Sequence, residues 1–445
     1  MKYKAYTRNN YKQIPQIRKL SSEEIFDIDV VSAVLPFKTN NYVVERLIDW
    51  DNYLKDPIFV LNFPQKGMLG KRDFNAIAKL IKNGSPSEQI KDAANKIHFK
   101  LNPHTSGQLE YNIPKINGKK LHGFQHKYSQ TFLIFPSQGQ TCHAYCTFCF
   151  RWPQFIGVED LKFATKEIEL MVEYFKRNQL ITDVLFTGGD PLVMKANLLK
   201  SYIQPLLDKS LSNVQTIRIG TKSIAFWPYR FISDDDKNEL LDLFKLIVDS
   251  EKNLAIMAHF CHPKELETDE AKAAINAIQS TGAIIRTQSP VLKNINDDPD
   301  VWAKMLRMHV NLNCVPYYMF IPRDTGARDY FSVTLERAWN IFRGAYKQVS
   351  GVCRTIRGPV MSATPGKVQV LGISEIYGEK VFTLRFIQGR NPDWVCRPFF
   401  AKYDKKALWL SDLKPAFGEE KFFFEDELER RFRSHIDINE YYDFE

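Results

Sequence analysis

The chain has 445 residues, 44% hydrophobic and 25% charged, which is ordinary for a globular protein and enough for one barrel-sized domain with extensions. No run approaches the roughly 20 apolar residues of a membrane-spanning helix, and the polar start Met1-Lys2-Tyr3-Lys4 leads into no apolar secretory segment, so a cytoplasmic protein away from membranes is expected. The net charge of +9 is scattered without long Lys/Arg blocks, which reads as a solvated surface rather than a nucleic-acid footprint.

Residues 1–125 read as a partly helical extension, with amphipathic stretches around Asp73–Ile81 and Ser87–Phe99 and a Pro-containing loop over Leu101–Lys120. From there to about 350 the pattern is rhythmic. Short β-branched runs at Thr131–Pro136, Asp183–Thr187, Thr216–Ile219, Leu254–His259, Ala283–Thr287 and Cys314–Phe320 predict strands. Helical patterns near Lys166–Asn178, Lys195–Leu207, Asp235–Asp249, Asp269–Thr281 and Asp300–Met308, and another after Ser332, separate and follow them. Six βα units fit either a partial (β/α)6 barrel over 126–350 or an open doubly wound sheet. Residues 351–445 form a C-terminal extension whose tail is rich in aromatic and charged residues, as in Lys421-Phe422-Phe423-Phe424-Glu425.

Seven cysteines is sparse use, yet three of them, Cys142, Cys146 and Cys149, sit together as C-x3-C-x2-C after the first predicted strand. A structural zinc site would want four ligands, and His143, adjacent to Cys142, is a strained fourth. Three thiolates suit a [4Fe-4S] cluster with one iron left open to a small molecule. The other polar and glycine-containing segments also follow strands, where barrel enzymes place their chemistry: Thr187-Gly188-Gly189-Asp190-Pro191-Leu192, Ile217-Arg218-Ile219-Gly220, His259-Phe260-Cys261-His262-Pro263 and Gln288-Ser289. Gly188 and Gly189 suit close backbone approach to a ligand, and Gly-Asp-Pro is equally good turn chemistry.

The cysteine trio resembles that of the radical S-adenosylmethionine (SAM) enzymes. The ordered set of segments, with Leu35-Pro36-Phe37, Leu47-Ile48-Asp49-Trp50, Asp56-Pro57-Ile58 and Pro316-Tyr317-Tyr318 added, resembles the lysine 2,3-aminomutase family over about residues 35–375. The resemblance favours the partial radical SAM barrel. It implies a [4Fe-4S] cluster on Cys142, Cys146 and Cys149, SAM, and pyridoxal 5′-phosphate (PLP), used to move an amino group from Cα to Cβ of an amino acid. In such enzymes the cluster reduces SAM, the resulting 5′-deoxyadenosyl radical takes a β-hydrogen, and PLP lets the nitrogen migrate. By the same resemblance Gly188, Gly189 and Asp190 lie at the methionyl group of SAM, with Gln288 and His259 around that pocket. Arg151 would grip the substrate α-carboxylate, as a planar guanidinium does bidentately. Lys367, after Pro365-Gly366, matches the lysine that carries PLP, although its glycine run is shorter than the family's.

Lysine-specific members hold the substrate ammonium with two aspartates. Here Arg323 falls in the first position, with Asp324 beside it, and Ser362 in the second. A buried ammonium needs a carboxylate; an arginine attracts one, so Arg323 points to an acidic amino acid, while a one-residue shift restores Asp324 as the ammonium's partner. Only Cys396 follows Cys353, so the family's C-terminal zinc cysteines are not expected. The resemblance also implies a flavodoxin or ferredoxin as electron donor and allows a homo-oligomer. Two other readings stay open: a family relative acting on a macromolecule, as on a translation factor, without PLP, and a non-catalytic iron–sulfur or nucleic-acid-binding protein.

Overall fold

The computed structural model describes residues 1–102, 112–156 and 163–433. The predicted loop over Leu101–Lys120 and the end of the tail lie partly outside the described residues. Two small ladders pair β1 (Ala5–Thr7) with β2 (Lys38–Asn40) and β3 (Lys115–Ile116) with β4 (Lys119–Lys120). All other strands join one 11-stranded sheet: β5 (Phe124–Tyr128), β6 (Thr131–Ile134), β7 (Asp183–Phe186), β8 (Thr216–Thr221), β9 (Asn253–His259), β10 (Ile284–Pro290), β11 (Val315–Phe320), β12 (Arg357–Ser362), β13 (Gly366–Ile376), β14 (Glu379–Gly389) and β15 (Pro398–Lys402).

Strand order follows chain order without a break. A doubly wound sheet reverses its order at a switch point; this one never does, so it is wound in one direction as a partial barrel. Strands β6 to β11 are mutually parallel and each is followed by helix. The helix Leu335–Lys347 then returns the chain to a seventh parallel strand, β12, and β13 to β15 add an antiparallel flank. The sheet therefore runs on past residue 350.

Strand alternation sorts the side chains. Phe132, Ile134, Val184, Phe186, Ile217, Ile219, Ile256 and Ile285 are fully buried on one face. From the same strands Leu133, Leu185, Arg218, Gly220, Met257, His259 and Gln288 face a central cavity. The N-terminal extension contains the expected helices, Lys71–Lys82 and Ser87–Leu101, and joins the same hydrophobic core, which runs from Tyr6 to Phe424. The helix Ser22–Val31 starts at a capping box in which Ser21 and Glu24 satisfy each other's backbone N–H. The tail packs back on the sheet, with Phe422 against Phe399 and Phe424 against Phe386 at ring separations of 5.4 and 5.0 Å. No helix among the described residues is long and apolar enough to cross a membrane.

Candidate active site

One cavity of about 650 Å³ occupies the barrel interior, and every residue singled out from the sequence lines it: Cys142, Cys146, Cys149, Arg151, Gly188, Gly189, Asp190, His259, Gln288, Arg323, Asp324 and Lys367. The cysteine loop at one end is held by the N-terminal extension. Lys38 Nζ donates to Cys142 O (2.7 Å), Tyr3 Oη to His143 O (2.7 Å), Tyr145 N to Lys38 O (2.7 Å) and Thr147 N to Leu61 O (2.9 Å). The extension is thus a scaffold for the loop. Burial pushes all three thiols up. Among the described residues no three His, Cys, Asp or Glu side chains converge as a single metal ion would require. A cubane spreads its three thiolates over several irons and binds them deprotonated, which suits three separate cysteines on one loop.

The two glycines serve the loop before they serve any ligand. A Cβ on Gly189 would lie 2.4 Å from Thr141 O, and one on Gly188, at φ +134°, 2.2 Å from the Gln140 side chain. They let the β7 loop close on the chain entering the cysteine trio. Asp190 is a brace. Its buried carboxylate accepts from Leu192 N (3.0 Å), Thr221 Oγ1 (2.8 Å to each oxygen), Lys222 N (2.9 Å) and Ser223 Oγ (2.9 Å). Those contacts tie the β7 and β8 loops together and use the carboxylate's acceptor capacity, so the contribution of Asp190 to a ligand is loop shape rather than a free oxygen.

His259 and Gln288 are register partners on β9 and β10. Burial, then nearby Lys222, holds the His259 imidazole well below its usual range, so it is neutral; its ring stacks on Phe148 at 5.9 Å, within the cysteine loop. Lys222 makes an ion pair with fully buried Glu265 (2.6 Å) and also reaches His259 O (3.2 Å). This pair was not singled out from the sequence. Nothing local marks it, because its two members meet only through the β8 and β9 loops.

Basic side chains line the cavity from the cysteine loop onward. Arg151 and Arg323 both lie over the Phe150 ring, at 5.0 and 4.5 Å from its centroid, and Arg151 also over Phe135 at 4.5 Å. Among the described residues neither has a salt-bridge partner within 4 Å. Burial, then the neighbouring Arg323, pulls Arg151 down to about 9; burial also lowers Arg323, while nearby Asp324 opposes that shift. Lys127 Nζ donates to Ala363 O (2.5 Å), and Arg390 donates to Thr364 O (2.9 Å) and Asn112 Oδ1 (2.6 Å). These two basic residues, also missed in the sequence, pin the β12–β13 turn; burial, then nearby Arg390, holds the Lys127 amine well below its usual range. Among the described residues neither has a salt-bridge partner within 4 Å, and an anionic group such as a phosphate would favour their charged forms.

Lys367 stands in β13 rather than in a loop. Its Nζ donates to Gln388 Oε1 (2.7 Å) and lies 5.0 and 5.7 Å from the Tyr318 and Tyr128 ring centroids. Burial, then Arg218 and Arg357, pulls its amine down to about 7. A buried amine held this low among basic side chains fits a lysine that condenses with an aldehyde carrying a phosphate. The last wall comes from the tail: Trp409, Leu413, Phe422, Phe424 and Leu428 give it a mainly apolar surface, in which Ser411 and Glu425 are the polar members among the described residues.

No family model matches the chain. A protein of Aquifex aeolicus named "Putative L-lysine 2,3-aminomutase" is 29% identical over 405 residues, 91% of this chain and 95% of that one. The L-lysine 2,3-aminomutase of Acetoanaerobium sticklandii is 27% identical over 62% of each chain, and the glutamate 2,3-aminomutase of Clostridioides difficile 28% identical over 47% of each. Likeness to solved structures is slight: a radical SAM methyltransferase from Sphaerobacter thermophilus gives a TM-score of 0.37 at 12% identity, over 63% of this chain and 92% of that one. The likeness to the putative L-lysine 2,3-aminomutase runs nearly the length of both proteins, so this chain is similar from end to end to proteins named as lysine 2,3-aminomutases.

Proposed function

We propose that the chain is a radical SAM, PLP-dependent amino-acid 2,3-aminomutase and that its substrate carries a side-chain carboxylate. The observation that carries this reading is one cavity lined by three cysteines, by a lysine amine pulled down to about 7 and by two arginines that have no salt-bridge partner among the described residues. When bound, the cluster with SAM supplies hydrogen-atom abstraction and PLP supplies a route for nitrogen migration. Cys142, Cys146 and Cys149 would hold the cluster, the Gly188–Asp190 loop with Gln288 and His259 would wall SAM, and Lys367 would carry PLP with Lys127 and Arg390 at its phosphate.

The remaining residues bind and orient the amino acid. Arg151 pairs with the α-carboxylate and Arg323 with the distal one, and Phe150 between them fixes the planes of both guanidiniums. The apolar tail wall keeps water from the reacting carbons. Asp324, which also lines the cavity, supports a second reading in which a distal ammonium is the substrate group.

Anaerobic turnover of reconstituted enzyme with lysine, glutamate, aspartate, alanine and arginine tests both. A β-amino acid from glutamate or aspartate supports the acidic reading, and one from lysine supports Asp324. Deoxyadenosine without any β-product sinks the aminomutase assignment and leaves a macromolecular substrate to be sought.

A further inference from the structure

We propose that Gln388 is the positioning residue of Lys367: its uncharged side-chain carbonyl accepts a hydrogen bond from the amine and aims it into the cavity without drawing a proton onto it. The proposal rests on the reading of Lys367 as the lysine that carries PLP.

The geometry is built into the sheet. Lys367 on β13 and Gln388 on β14 are register partners, and the register slips immediately afterwards, where Val368 faces Phe386. A bulge of that kind re-aims side chains, and here it leaves the Lys367 amine 2.7 Å from Gln388 Oε1. The strands can close only because residue 366 is glycine: a Cβ there would lie 2.2 Å from Gln388 O. The turn before Lys367 is fixed from outside by Lys127 on Ala363 O and Arg390 on Thr364 O. Backbone and side chain of Lys367 are therefore both held before any ligand arrives.

The chemistry of the acceptor matters. A buried lysine is ordinarily matched with a carboxylate. Among the described residues the groups facing it are the neutral amide of Gln388, the Tyr318 and Tyr128 rings, the guanidiniums of Arg218, Arg357 and Arg323 and the amine of Lys127; the nearby acid Asp183 is taken by Arg218 at 2.6 Å. Gln388 takes one N–H and leaves the nitrogen lone pair free. In condensation with an aldehyde that lone pair forms the new C–N bond, the carbonyl oxygen leaves as water, and no oxidant or reductant is needed. An ammonium has no lone pair to offer. A glutamate at 388 would hold the proton on, shifting the lysine upward by about 1–3 pH units as an adjacent opposite charge does.

The test uses PLP itself as the probe on the full chain stripped of PLP, at pH 6 to 10. Borohydride traps the adduct and mass spectrometry locates it. Wild type should label Lys367 with half-maximal rate near pH 7. Gln388→Glu should move that midpoint up by about two pH units. Gln388→Met, which adds no charge, should keep the midpoint but slow labelling about tenfold through lost aim. Circular dichroism melts confirm that each variant is folded; if the glutamate variant is not, the methionine variant decides by its rate. Labelling at Lys367 with profiles and rates unchanged in the folded variants overturns the role of Gln388 alone. No labelling at Lys367 in wild type overturns the reading of the lysine, and the proposal with it.

Discussion

Replacing Arg323 by methionine removes one of the two guanidiniums flanking Phe150 while keeping the volume and the apolar contact with the ring. A charge-assisted hydrogen bond to a carboxylate contributes about 1.5–3 kcal/mol. At about 1.4 kcal/mol per factor of ten, kcat/KM for an acidic amino acid should fall about 10- to 150-fold. Turnover of a neutral amino acid such as alanine should not fall, because Arg151 still holds the α-carboxylate and loses a repelling neighbour. Arg323→Asp should go further and repel the acidic substrate outright. The assay is the ratio of kcat/KM for glutamate or aspartate to that for alanine, on enzyme reconstituted to equal iron and PLP content. An unchanged ratio in both variants would refute the assignment of Arg323 to the substrate's side chain.

Asp190→Asn places an amide N–H₂ against donors that now meet a carboxylate, so a loss of about 2–4 kcal/mol is expected in denaturant unfolding, along with weaker cluster retention. Alanine at Cys142, Cys146 or Cys149 should each abolish the cluster's visible absorbance after anaerobic reconstitution, whereas Cys396→Ala, at an exposed position outside the cavity, should retain it. Lys367 titrates near 7 in the folded protein and near 10.5 unfolded, so between those values the unfolded chain holds the extra proton. Stability from this group therefore rises with pH across that window, by up to about 1.4 kcal/mol per unit, and is lost as pH falls toward 7. Urea unfolding at pH 7 and 9 should show the rise in wild type and a flatter dependence in Lys367→Met.

The βα rhythm was legible because each barrel strand buries one face: β7 begins at the expected Asp183, and β9 ends at the expected His259. The cysteine trio stood out by residue type and spacing, and Lys367 by the family resemblance. The antiparallel flank did not. β13 and β14 join through Tyr377 and Gly378, both at positive φ, and a tyrosine there hides the turn that Asn-Gly would announce. Arg390 meets Asn112 across 278 residues, and Lys38 meets Cys142 across 104; contacts of that range leave no periodic trace. The bracing role of Asp190 was hidden for a related reason. Its sequence neighbours form a glycine turn, but its hydrogen bonds come mainly from residues 221–223 of the next loop.

The most direct measurement follows one nitrogen. L-Glutamate labelled with ¹⁵N, and with ¹³C at C2 and C3, is incubated anaerobically with reconstituted enzyme, SAM, PLP and a reductant, and ¹³C NMR reads which carbon couples to ¹⁵N. Transfer of the coupling from C2 to C3, abolished in Lys367→Ala and in Cys146→Ala, is the predicted result. Coupling that stays on C2, for glutamate and for equally labelled aspartate and lysine, while SAM is still cleaved, would contradict the aminomutase assignment.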